Sequence, residues 1–139
     1  MAEEKLLGIA RMESASGHAQ TIHAGHHRLT ADEPASAGGT DTGPGPFSLL
    51  LSALGACTSI TLRMYGDRKG WELGVIRVSL RYFAGGAAER IEREVGFSAQ
   101  LEPAQLSRLA EISERTPVTL LLKRAVTIGT KVTHRFEGG

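Results

Sequence analysis

A second cysteine is missing. Cys57 is the only one in 139 residues, so no disulfide can close within one chain, and a reducing cytoplasm is the expected setting. An excess of one charge is missing too. The 16 Lys plus Arg stand against 15 Asp plus Glu, with no block of either sign, so neither nucleic acid nor an acidic membrane surface is an expected partner. The opening MAEEKLLGIARM lacks the basic start and long apolar run of a signal peptide. The apolar run after Phe47 is broken by Ser52, Thr58, Ser59 and Thr61. It is expected to fall short of the ~20 apolar residues a bilayer needs, and so to be a buried helix with no membrane as partner.

Motifs for several chemistries are absent as well. No G-x-S-x-G element marks a serine hydrolase. The Gly-rich loop is followed by GPGPF rather than by Gly-Lys-Ser/Thr, and its two prolines have no amide to donate, so it reads as a surface loop rather than a nucleotide cradle. His23, His26 and His27 carry metal-ligand chemistry, but adjacent strand residues point to opposite faces, so His26 and His27 do not serve one ion together. The expectation is no metal and no cofactor.

What is present sorts by hydrophobic period. A chain of this length is expected to be one domain, 1–139. Lys5 to Glu13, His18 to Ala24 and His27 to Asp32 read as short strands. Glu33 to Pro46, EPASAGGTDTGPGP, holds most of the Gly and Pro punctuation and reads as a loop. A helix follows from Phe47 to about Lys69, stopped by Gly70. Val75 to Phe83 alternates apolar Ile76, Val78, Leu80 and Tyr82 with Arg77, Ser79 and Arg81, a strand with one wet face. The sequence RIEREVGFSAQL then returns as the second arm of a hairpin. Pro103 opens a helix with Leu106, Leu109, Ala110 and Ser113 on one face, ending near Arg115. A second short helix starts at Thr116-Pro117, a good N-cap followed by proline at the first helical position. AVTIGTKVTHRF, with Val126, Ile128, Val132 and Phe136 spaced by two or four, is expected to close the chain as a strand. The order βββ-α-ββ-αα-β, with strands in runs, implies an α+β fold around a long buried central helix. That helix is apolar or small on every side, through Leu49, Ala53, Ala56 and Ile60, through Leu50, Leu54, Cys57 and Met64, and through Leu51, Leu62 and Tyr65. A helix apolar all round must be covered all round, so a second copy of the chain is expected to supply the remaining cover.

The stretch ADEPASAGGTDTGPGPFSLLLSALGACTSITLRMYGDRKGW, with the strand pair after it, RLAEISERTPV and the terminal strand, resembles the OsmC/Ohr family of osmotically induced and organic hydroperoxide resistance proteins. The Gly/Pro loop running into LGACTS and the Thr116-Pro117-Val118 step carry most of that likeness. The resemblance implies an intertwined α+β homodimer with active sites at the subunit boundary. It also implies a helix cysteine that attacks an organic hydroperoxide, a second cysteine that captures the sulfenic acid, and a small dithiol that reduces the disulfide. In that family an Arg and a Glu hold the attacking thiol as thiolate. Carried onto this chain, the attacking cysteine is Cys57. The resolving cysteine falls on Thr116 and the glutamate on Phe47. Arg11 and Arg28 are the nearest candidates for the arginine, and His27 is a further pocket candidate.

A threonine forms no disulfide, so any cycle here needs an external thiol reductant. Cys57 stands about ten residues, near 15 Å, from the helix start, too far for the helix dipole to act on its thiol. Burial among Leu, Ile and Ala disfavours a thiolate. Two functions stay open: a thiol-dependent enzyme in which Cys57 reduces an organic hydroperoxide, and a non-catalytic homodimer whose former active-site pocket holds a small apolar ligand.

Overall fold

The structure is a computed structural model and describes residues 3–134. Its elements are β1 (Ala10–Glu13), β2 (Gln20–Ala24), β3 (His27–Ala31), α1 (Pro46–Lys69), β4 (Ile76–Phe83), β5 (Arg90–Phe97), α2 (Pro103–Ser113) and α3 (Pro117–Arg124). This is the expected α+β order up to the last strand. Residues 125–134 form no strand among the described residues, and Ile128 and Val132 are 83% and 89% exposed. An alternating segment becomes a strand only where a neighbouring strand edge takes its backbone hydrogen bonds. Phe136 of that expected strand lies outside the described residues. At the other end, β1 begins at Ala10 rather than Lys5, leaving Leu6, Leu7 and Ile9 exposed.

The chain forms two compact units, Met1–Ala56 with Arg77–Gly96, and Cys57–Ile76 with Phe97–Gly139. In the first, β1, β2 and β3 make an antiparallel sheet in that order. Its register sets Met12 opposite Ile22 and Ile22 opposite Leu29, an apolar row on one face with Ile22 buried at its centre. β2 and β3 are joined by Gly25-His26, a two-residue turn whose first position has φ +61°, which glycine adopts without strain. The Gly/Pro loop is held by Asp32, and β4 pairs with β5 as a hairpin. Gly55 of α1 admits Leu80, whose Cδ1 lies 2.8 Å from where a β-carbon would stand.

In the second unit the rest of α1 buries Thr58, Leu62 and Tyr65, which recur at helical spacing along one stripe. Gly70, at φ +70°, ends the helix, and Trp71 N–H donates back to the Gly66 carbonyl. Leu73 is thereby laid against Gly66, where a side chain would leave it no room. Pro103 starts α2, whose Glu102 N–H donates to the Gln105 side chain, and Leu109 and Ser113 face inward.

Burial of α1 is one-sided. Leu54, Thr58, Leu62 and Tyr65 are covered, while Phe47, Leu50, Ile60 and Met64 are exposed. The run expected to be too short for a bilayer forms a helix of 24 residues, long and apolar enough to cross one by length and composition alone. Its covered stripe gives it a protein-facing side.

Candidate functional site

Cys57 sits mid-way along α1, at the border between the covered stripe and the exposed one, and is half-buried. It makes no hydrogen bond or ion pair among the described residues. Its neighbour Thr58 is fully buried, whereas Ile60, three residues on, is 59% exposed. The residue therefore stands at the edge of the exposed apolar stripe.

Thr116 is a buried helix cap. It is 0% exposed, has extended backbone, and caps α3: its hydroxyl lies 2.7 Å from the Thr119 hydroxyl and accepts from Thr119 N–H at 3.4 Å. Its carbonyl accepts the first helical bond, from Leu120 N–H at 3.0 Å. Pro117 fits the next position because the amide it lacks would have had no partner there.

Phe47 opens α1 and stacks on Tyr82 of β4, ring centroids 4.9 Å apart and planes 22° from parallel. The Tyr82 hydroxyl in turn donates to Glu89, and that carboxylate pushes the phenol above its ordinary pKa. The place where the resemblance expects a glutamate thus holds half of an aromatic pair.

The register brings Arg11 and Arg28 together, on one face of the first sheet and on either side of His23. It sets His27 on the opposite face, in a row with Ala24 and Ala10, where its ring lies 4.1 Å from that of His26. The candidate pocket residues therefore do not share one surface of that sheet. Among the described residues no group of three or more His, Cys, Asp or Glu is placed to hold a metal ion.

The strongest polar centre was not expected from the sequence. Asp32, 2% exposed, accepts five hydrogen bonds: from the hydroxyls and amides of Thr40 and Thr42 and from Glu33 N–H. The Thr40 hydroxyl first, then that of Thr42, hold its carboxyl far below the usual carboxylate range. Gly39 and Gly43 let the loop close on it, since β-carbons there would stand 2.0 Å from the Glu33 carbonyl oxygen and 2.5 Å from that of Thr30. The available signal was an aspartate at the head of a Gly/Pro loop with two threonines, spaced by two, in its second half.

Comparison with known proteins decides the family, for residues 39–131 match the OsmC-like protein family. The chain belongs to the OsmC-like family. A search of the curated proteins finds no match. Among solved structures, the chain is similar to an OsmC-like protein of Mycoplasma pneumoniae, with 19% identity over 88% of this chain and 89% of the other and a TM-score of 0.69. It is similar to an organic hydroperoxide resistance protein, OsmC, of Legionella pneumophila, with 13% identity, coverage of 87% and 92% and a TM-score of 0.66. A candidate organic hydroperoxide resistance protein of Vibrio cholerae, with captopril bound in one of its active sites, gives 16% identity, 87% coverage of each chain and a TM-score of 0.64. At these identities the likeness establishes the OsmC-like fold. The matched segment holds Cys57, Phe47 and Thr116, and leaves out Arg11, His27 and Arg28.

Proposed function

We propose that this OsmC-like chain is a one-cysteine redox protein of the organic hydroperoxide response, working as a cytoplasmic homodimer with Cys57 as its nucleophile. The observation that carries the reading is the half-buried Cys57 beside the exposed apolar stripe of Leu50, Ile60 and Met64. An apolar hydroperoxide has a way to such a thiol, and a second copy laid on that stripe would place the sulfur at the subunit seam. The Cys57 thiolate attacks the terminal peroxide oxygen, the O–O bond breaks, and the alkoxide leaves as the alcohol after taking a proton. Cys57 is left as the sulfenic acid. An external thiol condenses with it, releasing water and forming a mixed disulfide, and a second thiol equivalent restores Cys57 and departs as the external disulfide. Thr116 plays no chemical part, because its hydroxyl is sealed in a helix cap. The cation that keeps the sulfur anionic is to be sought on the second copy.

A second reading rests on the Phe47–Tyr82 stack. On this reading an aromatic ring stands in place of the glutamate and the protein holds a small apolar ligand without turnover. Cumene hydroperoxide consumption, driven by a monothiol or a dithiol and compared between wild type and Cys57→Ser, separates the two. A loss of at least a hundredfold in the variant supports the redox reading; equal rates leave only the binding one.

A further inference from the structure

The face of the first sheet that carries Arg11, His23 and Arg28 is not explained by the Cys57 chemistry. The register sets Arg11 opposite His23 and His23 opposite Arg28, a single row crossing three strands. Residues directly opposite lie about 4.5–5.5 Å apart at their α-carbons and share a face, so the two guanidinium-bearing positions stand roughly 10 Å apart with the imidazole midway between them. All three side chains are exposed, and none has a hydrogen bond or ion pair among the described residues. The next row on the same face is Glu13, Thr21 and Thr30. Glu13 is the one carboxylate that these strands place there, at the β1 end, while the β2–β3 end offers only cations and hydroxyls.

Packing gives no reason for the row, because the buried residues of this sheet, Ile22 and Ala31, lie on its other face. We infer that the row is an anion site for a phosphate group, free or as part of a small phosphorylated molecule. The Arg11 and Arg28 forks would close on it from either side, His23 would lie beneath it, and Thr21 and Thr30 would supply neutral donors. Arginine suits this because its planar fork offers paired donors to phosphate oxygens.

The test uses the whole chain at low ionic strength, with inorganic phosphate and pyrophosphate as probes, read by calorimetry and by the histidine ring signals in NMR. Saturable binding that moves the His23 signals, is at least tenfold weaker in Arg28→Gln and in Arg11→Gln, and is unchanged in Cys57→Ser supports the site. A second readout asks nothing of affinity: without phosphate, Arg28→Gln should melt no lower than wild type, and phosphate should raise the melting temperature of wild type but not of the double arginine variant. Tighter binding of a phosphomonoester than of inorganic phosphate would assign the source to a phosphorylated metabolite. No saturation at 10 mM phosphate, equal affinity in the arginine variants, or an identical response to chloride at matched ionic strength would overturn the inference. Because Cys57→Ser leaves this site intact, its failure and that of the redox reading are distinguishable.

Discussion

If Thr116 is a cap, its worth can be taken apart atom by atom. In Thr116→Ala the Thr119 amide loses its side-chain acceptor, and the Thr119 hydroxyl loses its 2.7 Å partner while keeping the Ser113 carbonyl at 3.4 Å. Loss of a Thr cap is worth about 1 kcal/mol. Deleting a fully buried methyl adds roughly 0.5–1.5 kcal/mol, as in Ile→Val, so Thr116→Ala should be destabilised by about 2 kcal/mol. Thr116→Val keeps the volume and loses only the acceptor, about 1 kcal/mol or slightly more. Thr116→Ser keeps the hydroxyl and loses the methyl, about 1 kcal/mol or less. Urea unfolding at one fixed protein concentration reads these as midpoint shifts. With a slope of about 2 kcal/mol/M, Thr116→Ala moves the midpoint down by about 1 M and the other two by about half that. If Thr116→Val is as stable as wild type, or Thr116→Ser falls as far as Thr116→Ala, the hydroxyl is not what holds this corner. Thr116→Cys extends the argument to function, for sulfur is a weak acceptor. Restoring the family's second thiol should weaken the cap nearly as much as alanine does.

Other consequences follow from the same geometry. Asp32 has a depressed pKa in the folded chain, so its contribution is complete well above the ordinary aspartate value of 3.8 and drains away as pH falls below it. Melting curves from pH 7 down to pH 2.5 should show wild type losing several degrees more than Asp32→Asn, with the two converging in acid; parallel curves would remove the role given to this carboxylate. Gly39→Ala should destabilise by roughly 1–3 kcal/mol, as overpacking does, because its β-carbon meets the Glu33 carbonyl at 2.0 Å; a neutral result by urea unfolding would mean the loop opens freely. Ile60→Glu together with Met64→Glu, on the exposed stripe of α1, should turn a dimer into a monomer at micromolar concentration in sedimentation velocity, whereas a monomeric wild type would end the dimer proposal. Cys57→Ala should melt within a few degrees of wild type, since the thiol makes no hydrogen bond or ion pair among the described residues; a large drop would assign the cysteine to packing.

Much of the fold was legible because its signals are local. Alternation through Ile76 to Tyr82 needs only one wet face, and β4 spans Ile76–Phe83. Gly70 and Thr116-Pro117 are punctuation whose physics is complete within a turn or two, and both mark helix ends. What was not legible depends on partners far along the chain or outside it. Val126, Ile128 and Val132 carry a strand's period, but a period does not supply a neighbouring edge. The Phe47–Tyr82 stack and the gathering of Thr40 and Thr42 on Asp32 need tertiary placement, which no spacing rule gives. Arg11 and Arg28 were singled out as thiol partners from their positions near the first hairpin, yet their common neighbour, His23, emerges only from the register.

The departures from the family pattern share a direction. Where the resemblance asks for a resolving thiol, the chain has a hydroxyl absorbed into a helix cap. Where it asks for a carboxylate, it has a ring absorbed into an aromatic stack. Each of these residues has a structural task that the residue the resemblance expects would perform poorly, since a thiol caps weakly and a carboxylate does not stack on a phenol. Cys57 shows no such conversion. It stands where the helix passes from covered to exposed and makes no hydrogen bond or ion pair among the described residues. On the proposed redox reading, then, the second thiol of the cycle has to come from outside the chain, because the chain has one cysteine.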